Sequence, residues 1–155
     1  MVEDPAAVYQ ARHLARQVDF LDVGSNALTQ YMLAVARNHP RVAELYKATH
    51  PAVLNALREV VKAGHAEDTY VGICGELAGT PVGAVLLMAM GYDVLSMNAA
   101  NLPKVKWIVR NINLSDARRM LARVLRMDTA EEIEDFMRRQ LVEVGLGRVV
   151  PSHHH

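Results

Sequence analysis

Short apolar runs alternate with longer segments of mixed polarity along most of the chain. Three of these runs have the length and composition of buried strands: residues 18–24, 69–75 and 92–97. A further short strand is predicted at residues 1–3. Strands that alternate with helices favour a parallel sheet, so the pattern predicts an α/β fold.

The segments between and after the apolar runs are predicted to be helical. They span residues 6–17, 51–65, 81–91, 114–128 and 129–147. In the second segment, Val53, Leu57 and Val60 recur at spacings of three and four, which places them on one helix face. Thr129 followed by Glu132 is a capping-box pattern, which predicts the start of the last helix.

Composition narrows the class of protein. The chain has 155 residues, 51% of them hydrophobic, which suits one domain with a real core. Lys and Arg together number 17, as do Asp and Glu, so the overall charge predicts neither a nucleic-acid nor a membrane partner. No apolar stretch is long enough to span a bilayer. The single cysteine allows no internal disulfide, which is typical of proteins in the reducing cytoplasm. The final three histidines resemble a purification tag.

Polar side chains follow each predicted strand. Glu3 ends the first, Asn26 follows the second, Cys74 and Glu76 follow the third, and Asn98 follows the fourth. Ligands bind at the carboxyl ends of parallel strands in α/β folds, so these residues are expected to converge at one edge of the sheet.

Each of these residues also has an ordinary structural explanation. A single cysteine such as Cys74 is commonly a small buried residue. Asn26 suits a turn, and Asn98 suits a turn or a helix cap. Glu76 is compatible with the start of a helix, and Arg37 with a solvated loop. The residue pattern alone leaves both interpretations open.

Several long motifs resemble one family. They are VDFLDVGSNALTQYMLAVARNHPRVAELY, HPAVL, GICGELAGTP, LLMAMGYDVLSMNAANLPKVK and GLGRVV. Together they are similar to the C-terminal part of the phosphoenolpyruvate–protein phosphotransferases, enzyme I of the bacterial sugar phosphotransferase system and its nitrogen-related paralogue. The segments MNAANLPKVKW and GLGRVV resemble the nitrogen-related branch more closely.

The resemblance implies an architecture and a domain division. Family members bind phosphoenolpyruvate (PEP) and Mg²⁺ at the strand ends of a TIM barrel, a (β/α)8 barrel. By that resemblance, residues 1–113 correspond to the second half of the barrel, strands five to eight. Residues 114–150 are a C-terminal helical extension, and residues 151–155 form a tail with the tag remnant. The phosphoryl group passes in this family to a histidine on another domain and then to a histidine phosphocarrier protein.

The resemblance also assigns roles. Glu3 matches a metal-ligating glutamate, and Asn26 matches an asparagine at the PEP site. Arg37 matches an arginine that holds the substrate phosphate. Cys74 matches the cysteine that donates a proton to the enolate as pyruvate forms. These roles imply a catalytic origin for the single cysteine.

One departure from the family pattern bears on activity. Ala27 stands where the family has an aspartate, the second protein ligand of Mg²⁺, and a methyl group ligates no cation. We therefore expect a fragment of a PEP–protein phosphotransferase that is inactive alone. The alternative is a non-enzymatic dimerisation or regulatory module.

A homo-oligomer is expected in either case, because a half-barrel has two open sheet edges. A small flavodoxin-like domain is a third alternative, but the chain lacks a glycine-rich phosphate loop.

Overall fold

Three parallel strands form the sheet in the computed structural model, which describes residues 1–151. The histidines interpreted as a tag lie outside the described residues. The strands are β1 (Phe20–Gly24), β2 (Tyr70–Cys74) and β3 (Val94–Ser96), adjacent in that order. The predicted α/β class is confirmed, and each strand lies within its predicted run.

The predicted strand at residues 1–3 exists as a single bridge. Val2 pairs in parallel with Val23, donating its amide to the carbonyl of Asp22 at 2.7 Å and accepting from the amide of Gly24 at 2.9 Å. This bridge extends the sheet beyond β1, so four segments now run in one direction and end at one edge.

Eight α-helices accompany the sheet in the described part of the chain. They are α1 (Pro5–Tyr9), α2 (Ala11–Ala15), α3 (Ser25–Leu33), α4 (Pro51–Ala66), α5 (Pro81–Met90), α6 (Leu102–Asn111), α7 (Leu114–Val124) and α8 (Ala130–Glu143). Thr129 caps α8 as predicted, accepting a hydrogen bond from the amide of Glu132 at 3.1 Å. No helix in this part of the chain has both the length and the apolar character that a membrane crossing requires.

Two features of the helices differ from the pattern-based prediction. The single helix predicted at 6–17 is broken at Gln10, where the backbone leaves the helical region with ψ near 4°. Helices α3 and α6 were not among those predicted. Helix α3 begins directly after β1, and its Gly24-Ser25-Asn26 start has the composition of a turn.

The sheet has one buried face and one exposed face. Leu21, Val23, Val71 and Ile73 point into the core, where they join the predicted apolar face of α4. On the opposite face, Phe20 and Tyr70 are 66% and 61% exposed, and Val94 is also exposed. Parallel sheets usually have both faces covered, so this bare face is unusual for an α/β fold.

Candidate functional site

The strand ends meet at one edge, as the sequence predicts. Gly24 is paired with Cys74, and Cys74 with Ser96, so the last residues of all three strands form a row. Glu3 lies at the end of this row: a Cβ built on Gly24 would sit 2.9 Å from its Cγ. A side chain at position 24 would therefore force Glu3 to shift.

A tight turn after β2 joins it to the start of α3. Gly75 has φ of +120°, a conformation that favours glycine, and a Cβ there would collide with the Oγ of Ser25. That hydroxyl donates to the carbonyl of Cys74 at 2.9 Å, and the amide of Glu76 donates to Oδ1 of Asn26 at 3.2 Å. These contacts fix Asn26 beside the end of β2.

A cavity of about 980 Å³ opens at this edge of the sheet. Asn26, Cys74, Glu76 and Asn98 all line it, so four of the residues predicted to converge share one cavity. The N-terminal part of α8 forms another wall, through residues that include Glu131. The predicted C-terminal extension therefore contributes to the candidate site.

Cys74 is half-buried, and its thiol lies 3.6 Å from the carbonyl of Val23. Burial raises the pKa of this thiol, and the neighbouring carboxylates of Asp22 and Glu3 raise it further. Near neutral pH the group is consequently a protonated thiol. That state suits a proton donor better than a nucleophile, which needs the thiolate.

Arg37 belongs to the same edge but not to the cavity wall. Its guanidinium forms an ion pair with the Glu76 carboxylate, and Arg37 is not among the described residues that line the cavity. The Arg37 amide donates to Oε1 of Gln30 at 3.3 Å, which ties its backbone to α3. Glu76 therefore joins the cavity wall to Arg37 through this ion pair.

The residues present do not fit a bound divalent cation. Glu3 is one carboxylate at the strand ends, and Ala27 in the first turn of α3 has only a methyl group, which ligates no cation. Within residues 1–151, no group of three or more His, Cys, Asp or Glu side chains has the geometry to hold a metal ion.

Some residues at the cavity carried no usable sequence signal. Tyr46, Lys47 and Thr49 lie on the segment between α3 and α4, which has no helical or strand periodicity. The Tyr46 hydroxyl donates to the carbonyl of Asn26 at 3.2 Å, and burial raises the pKa of Tyr46. Lys104 lines the cavity from α6. Lys47 and Lys104 add positive charge that the sequence alone did not place there.

Comparison with known proteins supports the resemblance seen in the motifs. Residues 1–114 match the family described as PEP-utilising enzyme, PEP-binding domain. A phosphoenolpyruvate-protein phosphotransferase of Haemophilus influenzae is 42% identical over 146 residues, covering 94% of this chain and 25% of the relative. One of Haloferax volcanii is 44% identical over 137 residues, covering 88% of this chain and 24% of the relative.

An Escherichia coli protein named phosphoenolpyruvate-dependent phosphotransferase system is 37% identical over 150 residues, 97% of this chain and 20% of the relative. The chain thus spans a quarter or less of the length of these curated relatives. The family match covers more than half of the chain, and the aligned relatives cover nearly all of it. The chain belongs to the PEP-utilising enzymes, through their PEP-binding domain.

Proposed function

We propose that this chain is part of a PEP–protein phosphotransferase and contributes to its PEP site. In the whole protein, phosphoryl transfer from PEP to a histidine would feed a histidine phosphocarrier protein. One observation supports the proposal above the others: Asn26 and Cys74 line the same cavity at the carboxyl ends of the strands. The relatives named as phosphotransferases add support.

The chain's own residues suit the PEP half of this reaction. PEP carries a phosphate and a carboxylate, and the cavity offers Lys47 and Lys104, with Arg37 paired to Glu76. The side-chain NH2 group of Asn26 can donate a hydrogen bond to the ligand, while its Oδ1 accepts from the amide of Glu76. When the phosphoryl group leaves, the enolate of pyruvate remains, and the Cys74 thiol donates a proton to its methylene carbon. Solvent then reprotonates the thiolate.

We expect no phosphoryl transfer by this chain alone. Glu3 is one carboxylate where the family pattern has two, and the chain covers a quarter or less of its relatives' length. The test is pyruvate release from PEP with Mg²⁺, monitored by coupled oxidation of a nicotinamide cofactor. The proposal predicts no release above the uncatalysed rate. Mg²⁺-dependent release that disappears in Cys74→Ala would overturn the expected inactivity.

The bare sheet face supports the further proposal of a TIM-barrel half. Phe20, Tyr70 and Val94 would face the interior of a closed barrel, and the edges at residues 1–3 and β3 would pair with further strands.

Open edges and an apolar face also favour self-association, so we propose a homo-oligomer. Light scattering at micromolar concentration tests this: a monomer at all concentrations contradicts it.

Ala27 supports the alternative of a non-enzymatic dimerisation or regulatory module, since the missing aspartate leaves the metal position incomplete. Restoring Asp at position 27 separates the two proposals. Gained Mg²⁺ affinity indicates a disabled enzyme site, whereas unchanged affinity combined with stable oligomers favours the module.

We propose a cytoplasmic protein of the nitrogen-related branch, supported by the segments MNAANLPKVKW and GLGRVV. The whole protein offered both kinds of phosphocarrier should then transfer faster to the nitrogen-related one. Equal rates, or faster transfer to the sugar-system carrier, would contradict the branch assignment.

A further inference from the structure

Glu76 forms an ion pair with the guanidinium of Arg37, the group that the proposed function requires for binding the ligand. The carboxylate of Glu76 is the one ion-pair partner of Arg37 in the described part of the chain. Glu76 lines the cavity and Arg37 does not. The wall of the cavity therefore carries the negative charge of Glu76, which is paired with the positive charge of Arg37.

The backbone of Glu76 is held in place, whereas its side chain is mostly exposed. Its amide is held by Oδ1 of Asn26, and the preceding Gly75 is confined by Ser25. The Glu76 side chain is nevertheless 61% exposed. Swinging the carboxylate away from Arg37 breaks only the ion pair and leaves the turn after β2 intact.

The backbone of Arg37 is likewise held in place, and its guanidinium is accessible to solvent. Its amide contacts Gln30, and the chain enters this segment through Ala34 in the left-handed region, with φ of 53°. The Arg37 side chain is 39% exposed, so solvent and small ions reach the guanidinium. The pair is thus a partly solvated one that a competing anion can open.

We propose that Glu76 sets the affinity of the cavity for phosphate-bearing anions by acting as an internal competitor for Arg37. This inference rests on the proposed function. A phosphate with two negative charges accepts two parallel hydrogen bonds from arginine and binds it more strongly than a single exposed carboxylate. Binding has to open the Arg37–Glu76 pair and bring the anion near the displaced carboxylate.

Two unfavourable contributions to anion binding set the expected size of the effect: opening the Arg37–Glu76 ion pair, and placing the anion near the displaced Glu76 carboxylate. An exposed ion pair contributes at most about fivefold to a binding constant, and repulsion between the displaced carboxylate and the anion adds to it. Glu76→Gln removes both costs and keeps a side chain of the same shape. We therefore expect Glu76→Gln to bind phosphate-bearing anions on the order of fivefold more tightly than the unaltered chain.

The experiment is a calorimetric titration with PEP and, separately, with inorganic phosphate. It compares the unaltered chain, Glu76→Gln, and Glu44→Gln as a control, which makes the same charge change at an exposed position of the segment between α3 and α4 that also contains Arg37. The proposal predicts tighter binding in Glu76→Gln alone. It also predicts that the gain disappears when Arg37→Gln is added to Glu76→Gln.

The outcomes separate this inference from the proposed function. Tighter phosphate binding in Glu76→Gln without any PEP binding would support the competitor and contradict the PEP site. PEP binding that Glu76→Gln leaves unchanged or weakens would overturn the competitor and keep the PEP site. No binding of either anion to any variant would overturn both. The Arg37 Nε–H resonance offers an independent measure: it should shift in Glu76→Gln, and an unchanged resonance contradicts the ion pair.

Discussion

The carboxylate of Asp22 and the thiol of Cys74 interact diagonally across two paired strands. Asp22 is paired with Gly72, and Cys74 lies two residues further along β2, on the same exposed face of the sheet. Gly72 makes room for this contact, since a Cβ there would be 3.0 Å from Oδ1 of Asp22. A negative charge beside a thiol disfavours the thiolate, which keeps Cys74 in its acid form.

Asp22→Asn should therefore lower the pKa of Cys74. Burial is the largest cause of the raised pKa and remains in the variant, so part of the shift persists. The rate of iodoacetamide alkylation against pH measures the thiolate directly, because Cys74 is the only cysteine of the chain. The profile should move to lower pH in Asp22→Asn. Asp19→Asn, an exposed carboxylate outside the Cys74 environment, should leave the profile unchanged; equal profiles for both variants contradict the contact.

Gly75→Ala should destabilise the chain by more than the backbone strain alone. The φ of +120° costs a residue with a side chain about 1 kcal/mol or more, and the collision with Ser25 Oγ adds to it. Gly145→Ala is the matched control, because Gly145 has φ of +87° but nothing within 4 Å of a built Cβ. Urea unfolding should give a free-energy loss at least about twice as large for Gly75→Ala as for Gly145→Ala. Equal losses would mean that the Ser25 contact is absent.

The Asp93–His65 pair predicts a loss of stability in acid. Burial opposes ionisation of Asp93, but hydrogen bonds with His65 and from the amide of Val71, both 2.8 Å, outweigh it and hold the pKa of Asp93 below its usual range. A carboxyl whose folded pKa is depressed contributes stability that is fully present above the unfolded pKa. That contribution is lost as the pH falls below about 4 through the folded pKa.

Unfolding free energy measured against pH tests this contribution. Asp93→Asn should cost about 1 kcal/mol at pH 7, and the cost should shrink as the pH falls through the lowered pKa of Asp93. Asp68→Asn is the control, since Asp68 is an exposed carboxylate close to the same end of β2. A pH-independent cost of Asp93→Asn would show that the hydrogen bonds do not depend on the charge.

Ala27→Asp should create magnesium affinity where the unaltered chain has none measurable. The new carboxylate would sit in the first turn of α3 and join Glu3 at the strand ends. Calorimetric titration with Mg²⁺ should detect binding in Ala27→Asp and lose it again when Glu3→Gln is added. Ala36→Asp introduces the same charge further along the chain, so binding gained there as well would contradict a site built on Glu3.

The strand ends could be predicted from the sequence, whereas the ion pair at the site could not. Apolar runs and alternation with helices place Gly24, Cys74 and Ser96 at one edge, because a parallel sheet permits no other arrangement. The position of Arg37 depends on an irregular segment whose path is decided by tertiary contacts such as that between Tyr46 and Asn26. No local pattern encodes such contacts, so the pairing of Arg37 with Glu76 emerged only from the structure.

The break at Gln10 has a similar origin. Residues 6–17 have continuous helical character, yet the chain divides them between α1 and α2. Ala11 and Ala15 are buried while Tyr9 is 90% exposed, and α2 packs against α4, so this packing decides the local geometry. Tertiary packing overrides helical propensity when the two conflict.

PEP is proposed to bind at the carboxyl ends of the strands, in the cavity that contains Asn26 and Cys74. A titration of the ¹⁵N-labelled chain with PEP, followed by amide chemical shifts, locates any binding directly. We expect concentration-dependent shifts at Asn26, Gly75 and Glu76 that are reduced in Asn26→Ala. Shifts confined to other parts of the chain, or no shifts at millimolar PEP, would contradict it.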